Sequence, residues 1–316
     1  MITTSYDPAI ATLLPQLTHA DPAVRRIALI GIADYADEYP ELFVEGSRDA
    51  DAGVRLEAAR ALEGSADAGA VDALVDLLGD DDARVREAAA VSLAEIQDAA
   101  AAPVLLRRLA GAAPDARAGI LAGLRKLRHA PALAPALASL DDAAAAVRRE
   151  AVGVLGYLKD ARALPQLARR AAEDPEASIR QAAAGALAYA SGDAVPDTVV
   201  PALLRALRDP DWQVRQEAAV TLGKLQPPEA VDGLLAALAD TAWEVRLQAA
   251  RVLGLLREAR AVPGLVDALG HPVVNLRKEA AGALGVIGNR AALAALTAAL
   301  DDPDVDVRKT AARYLG

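Results

Sequence analysis

The side chains that could carry chemistry in this sequence are few, and their spacing argues against most reactions. Three histidines, His19, His129 and His271, lie in separate stretches of chain and none is followed by Glu. There is no Gly-x-Ser-x-Gly elbow, no Walker loop and no zinc-type spacing. Cysteine is absent, which excludes disulfides, thiolate nucleophiles and thiolate-ligated metals. Two acidic clusters, Asp80, Asp81, Asp82 and Asp301, Asp302, Asp304, have the charge a hard cation requires. They lack the glycine and terminal glutamate that order a calcium loop, so they are expected to be capped, solvated turns. The expectation is no catalytic set, no metal site and no cofactor.

Arginine is different, because it recurs. Arg25, Arg55, Arg86, Arg117, Arg148, Arg180, Arg215, Arg246, Arg277 and Arg308 each follow Val, Leu or Ile, Arg117 excepted, at steps of 30, 31, 31, 31, 32, 35, 31, 31 and 31 residues. Aspartates precede them, among them Asp21, Asp51, Asp82, Asp142, Asp174, Asp211, Asp240 and Asp304. An anion-binding ladder is one reading. Because Asp tracks Arg unit by unit, the better one is that each guanidinium bridges its own turn or that of the neighbouring unit.

The elements that place these arginines follow from the same period. Stretches such as Asp209 to Leu225 (DPDWQVRQEAAVTLGKL) and Asp240 to Leu256 (DTAWEVRLQAARVLGLL) repeat apolar residues at three- and four-residue spacing, the mark of an amphipathic helix. Upstream of each lies a second such run, as in Ala230 to Asp240 (AVDGLLAALAD), and Asp and Pro punctuate the turn between them, where Asp caps and Pro fits the first helical turn. No strand pattern occurs. A lone helix pair cannot bury its apolar face, so ten units must stack. Aromatics make up only 3% of the residues, so Ala, Leu and Val must fill the core.

The pattern D-x-x-V-R-x-x-A-A-x-x-L-G, preceded by A-V-x-x-L-x-x-L-L-x-D, resembles the HEAT repeat, specifically its short bacterial form also found in phycobilisome lyases. The resemblance covers essentially the whole chain. It implies an all-α fold, an α-solenoid winding as a right-handed superhelix of about ten antiparallel helix pairs, with residues 1–316 as one domain and the second helices lining a concave face. Departures fall in repeat 2, in repeat 4 (PDARAGILAGLRKL) and in four extra residues near SGDAVPDTVVP between repeats 6 and 7. The paired His-Glu motifs that deoxyhypusine hydroxylases of this fold use to ligate iron are missing.

On such a second helix, the positions two, five and nine after the arginine should point away from the buried side. Over repeats 2 to 9 they carry balanced charge, including Glu150, Glu217, Lys224 and Arg251. Tyr157 and Tyr189 fall at equivalent places with Gly153 and Gly185 a turn earlier, which suggests a shallow trough between two rings. Trp212 and Trp243, the only tryptophans, open the second helices of repeats 7 and 8 as packing residues or partner anchors. Tyr35, Tyr39 and Phe43 are expected to seal the first repeats.

These residues point to a non-catalytic scaffold that engages another protein, with Tyr157 and Tyr189 as anchor, Trp212 and Trp243 beside them, and Glu150, Glu217, Lys224 and Arg251 selecting by charge. The phycobilisome-lyase resemblance implies an alternative, a lyase or chaperone holding an extended bilin in the same groove through Tyr157, Tyr189 and Arg251. Thirty-four Lys and Arg against forty-four Asp and Glu leave a net charge of −10, which disfavours nucleic acid. The N-terminal MITTSYDPAIATLLPQL lacks the basic and apolar stretches of a secretory signal, and no eighteen apolar residues run together, so a cytoplasmic protein without membrane insertion is expected.

Overall fold

A computed structural model describes residues 6–192 and 195–316. The chain divides into two compact units, residues 1–158 and 159–316. All regular structure among the described residues is helical.

Each unit is a run of five helix pairs, a segment of α-solenoid. In the first unit the second helices are Pro22–Gly31, Ala52–Ala61, Ala83–Ala94, Pro114–Arg125 and Ala145–Leu158; in the other they are Ala177–Ala186, Trp212–Leu225, Trp243–Leu255, Val274–Ile287 and Val305–Arg313. Within a unit, each second helix packs on the next, and the first helices, such as Pro40–Gly46, Ala68–Leu77 and Ala102–Leu109, form a parallel layer behind them. The degenerate sequence of repeat 2 still forms both helices. Of the insertion between repeats 6 and 7, Asp193 and Ala194 lie outside the described residues, while Val195–Val199 form a π-type turn leading into the helix Val200–Ala206.

Local chemistry sets the helix starts. Asp21, Asp51, Asp82, Asp211 and Asp304 each accept a backbone N–H two residues on, relieving one of the unpaired amides of the first turn. The core is a file of small and branched side chains at four-residue steps: Val214, Ala218 and Leu222 on one second helix, Val245, Ala249 and Leu253 on the next, then Leu276, Ala280 and Leu284, all fully buried.

Gly223, Gly254 and Gly285, each following Leu in a second helix of the second unit, face the next repeat at close range. A Cβ added at Gly254 would lie 2.8 Å from Cα of Ala283, and one at Gly223 would lie 2.6 Å from a methyl of Val252. At Gly285 it would enter the ring of Tyr314. The repeat spacing therefore depends on the missing side chain.

The first-repeat aromatics pack on one another. Tyr6 and Tyr39 meet edge to face with centroids 5.1 Å apart, Tyr35 lies 6.4 Å from Tyr39, and Phe43 is fully buried.

Candidate functional site

The arginine file is structural, and its geometry is the same in both units. Nε and Nη2 of Arg55 donate to Asp80 at 2.6 and 2.8 Å, while Nη1 reaches back to the carbonyls of Asp49 and Ala50 in its own turn. Arg25 forks onto Asp49, Arg180 onto Asp209, Arg215 onto Asp240 and Arg277 onto Asp302, each at 2.6–3.0 Å. Arg117, which lacks the aliphatic neighbour, reaches Asp142 at 2.6 Å through Nη2, and its Nε is buried without a partner. The accepting carboxylate belongs to the turn of the following repeat. It also takes the N–H two residues on, as Asp80 does from Asp82.

Each such aspartate is thus a three-way joint. The arginine forks hold Asp49, Asp80 and Asp302 below the usual carboxylate range. Burial pushes Asp209 and Asp240 upward, and the arginine together with the backbone N–H more than reverses it. Two members of each acidic cluster take these roles: Asp80 and Asp302 receive forks, and Asp82 and Asp304 cap helices. No group of carboxylates and histidines suited to a metal ion occurs among the described residues.

Histidine takes the aspartate's place in two turns. Nδ1 of His19 accepts the Asp21 N–H at 3.0 Å, and Nδ1 of His271 accepts that of Val273 at 3.1 Å. At His271 this interrupts the file. The side chain of Arg246, the arginine one repeat earlier, makes no hydrogen bond or ion pair among the described residues, and its Nε is buried. Burial, then the charges of Arg246 and Arg277, hold the His271 imidazole below its ordinary pKa.

The outward stripe of the second helices is laced by ion pairs between successive repeats. Arg26 meets Glu57 at 3.0 Å, Lys126 meets Glu95 at 3.2 Å, Arg125 meets Glu150 at 3.2 Å and Arg251 meets Glu279 at 2.8 Å. Glu150 and Arg251 are therefore committed to neighbours within the protein, whereas Lys224 is exposed. Glu217 leans across Gly185, with its carboxylate 2.8 Å from where a Cβ would stand. Arg125 lies across Gly153 in the same way, at 2.9 Å. The space above both glycines is filled by these side chains, so neither forms an open trough.

The tyrosines differ. Tyr157 is 43% exposed, at the end of its helix. Tyr189 is half-buried and donates its hydroxyl to the Asp160 carbonyl at 2.9 Å, and burial pushes its phenol up to about 12. Trp212 and Trp243 both open their helices, Trp212 exposed and Trp243 half-buried.

Two features of the stripe lie at repeats outside the sequence reading of repeats 2 to 9. The same count from Arg25 gives Ile27 and Ile30, which are 66% and 49% exposed one turn apart. From Arg308 it gives Thr310 and Arg313, which line a groove of about 630 Å³ together with Trp243, Arg251, Lys278 and Tyr314. Of the eight residues singled out from sequence, the groove brings together Trp243 and Arg251.

Comparison with known proteins fits this architecture. The profile described as HEAT repeats matches residues 40–125, 109–188, 174–249 and 231–316, and the chain belongs to the HEAT-repeat family. No curated protein sequence matches it at a significant level. Among solved structures it is similar to an engineered protein (TM-score 0.59, 23% identity, 98% of each chain) and to the Escherichia coli protein YibA (TM-score 0.54, 20% identity, 90% of this chain and 96% of that one). It is also similar to Kap95p, in a structure describing Kap95p binding to RanGDP (TM-score 0.66, 15% identity), where it covers 98% of itself and 50% of Kap95p. These likenesses concern the fold. No single helix among the described residues is long and apolar enough to cross a membrane.

Proposed function

We propose that this chain is a non-catalytic scaffold that holds another protein along the outward stripe of its second helices, in the cytoplasm. The observation that carries this reading is apolar exposure on a face otherwise neutralised by ion pairs. Ile27, Ile30, Val91 and Tyr157 in the first unit, and Trp212 and Leu255 in the second, stand open among paired charges. Ile27 and Ile30, one turn apart on one helix, make the paired apolar patch that marks an interaction site, since each gains about 1.5–3 kcal/mol when fully covered. Paired charges around them add selectivity at little cost. Kap95p, of the same fold, binds RanGDP.

The test is affinity capture from lysate at low salt, read by mass spectrometry, comparing the chain with an Ile27→Ser/Ile30→Ser variant and with Tyr157→Ala. One protein retained by the parent and reduced at least about ten-fold by either variant, roughly 1.4 kcal/mol, is the expected result. Equal retention by all three, or no specific retention, refutes the reading. Uptake of an added bilin with visible absorbance, in the absence of any protein partner, replaces it with a bilin-holding role.

A further inference from the structure

We infer that the groove between Trp243 and Tyr314 takes an acidic, extended peptide segment carrying one aromatic or aliphatic anchor. The inference rests on the scaffold reading and specifies the partner's chemistry at one place. The groove crosses three consecutive second helices, Trp243–Leu255, Val274–Ile287 and Val305–Arg313. Packed helices stand about 8–10 Å apart, so two such steps span roughly 18 Å. Extended chain covers that in about five or six residues at ~3.3 Å each.

The walls specify the rest. Trp243 and Leu247, one helical turn apart, make the apolar end. Tyr314, its ring seated against Gly285, is a fixed wall at the other. Between them stand three cations, Arg251, Lys278 and Arg313, against one anion, Glu279. Glu279 is taken by Arg251 at 2.8 Å, and Lys278 has only a loose contact with Asp306 at 3.9 Å. Arg313 is exposed and makes no ion pair among the described residues.

The local excess of positive charge sits in a protein of net charge −10. An unpaired Arg313 beside the loosely paired Lys278, inside a partly apolar groove, raises the local concentration of a complementary anion. Two side chains suit a peptide backbone. Asn275 offers both donors and an acceptor, and Thr310, whose hydroxyl donates to the Asp306 carbonyl at 2.8 Å, keeps its oxygen free to accept. A nucleic acid fits less well: its affinity grows with each phosphate neutralised, and one unpaired and one loosely paired cation neutralise few, while the protein's net charge of −10 repels it.

The probe is a displayed library of random twelve-residue peptides selected on the full chain. Expected are enriched sequences with two or more Asp or Glu near one aromatic or aliphatic residue. Labelled synthetic copies should lose at least ten-fold affinity for Lys278→Glu and for Arg313→Glu, weaken with added salt, and bind Arg48→Glu as they bind the parent. All three side chains are exposed, and circular dichroism checks that the variants are folded. The inference is overturned if nothing enriches, if the enriched peptides are neutral or basic, if they bind the charge-reversed chains equally, or if an oligonucleotide of equal charge binds as tightly. Failure here with a partner captured through Ile27 and Ile30 leaves the scaffold reading standing. Success here with no captured partner removes the Ile27 face and keeps the groove.

Discussion

At the scale of single residues, the repeat arginine ties two turns together: its own through Nη1, and the next repeat's through the fork formed by Nε and Nη2. A point charge on a flexible stem could not do this, since the planar guanidinium has donors fixed in two directions. The joint at His271 shows what the aspartate contributes. With Nδ1 accepting from Val273, the neutral ring carries its proton on Nε2 and offers no acceptor to Arg246, whose Nε stays buried and unpartnered. His271→Asp is expected to restore the fork and raise stability by about 1–3 kcal/mol, the range of a charge-assisted hydrogen bond, visible as a higher urea midpoint. The pH dependence separates this from a generic gain. Because the folded imidazole is held below its unfolded value of about 6.5, the parent loses stability as pH falls through that region, and the Asp variant does not. An unchanged midpoint, or the same acid-side loss in both, would refute the joint.

At the scale of helices, consecutive second helices are held close by what is missing from their surfaces. Gly254 faces Cα of Ala283 across a space that cannot admit a methyl group, because the obstructing atom is backbone and cannot rotate away. Gly254→Ala is expected to cost about 1–3 kcal/mol through overpacking, despite alanine's better helix propensity. Gly282→Ala, with only a methyl of Thr310 at 3.9 Å, should be neutral or slightly stabilising. Thermal melts of the two variants check the contrast, and equal effects would contradict it. The helix pairs themselves were legible in the sequence, because the 31-residue period and the Asp caps are local signals. The joints were legible only in part. The Val-Arg dipeptide marks the donor, but its acceptor, such as Asp80 for Arg55, lies 25 residues away and two residues before the capping Asp82. The open glycines predicted beneath Tyr157 and Tyr189 are covered by Arg125 and Glu217, whose reach across repeats no single-helix count reveals. Ile27, Ile30 and Arg313 obey the same count as the rest of the stripe and were within reach of it.

At the scale of the whole chain, the acidity has a structural use that can be titrated. Asp49 and Asp80 in the first unit, and Asp209, Asp240 and Asp302 in the second, all have folded pKa values below the ordinary one. A carboxylate whose folded pKa is depressed contributes stability that is fully present above its unfolded value, about 4, and is lost as pH falls through the folded value. In a stack where each repeat touches only its neighbours, these losses accumulate joint by joint within a unit. Protonation also leaves 34 Lys and Arg with few opposing charges, adding self-repulsion. With His271→Asp as background, the urea midpoint should hold between about pH 7 and 5 and drop steeply below about pH 4. Asp209→Asn in that background removes one titrating joint. It should begin about 3 kcal/mol less stable at pH 7, as when one partner of a largely buried pair is lost, and converge on its parent as the pH falls through the folded carboxyl's depressed range. Parallel curves, with the deficit kept constant into acid, would show that Asp209 stabilises by shape and packing instead of by the charge it shares with Arg180.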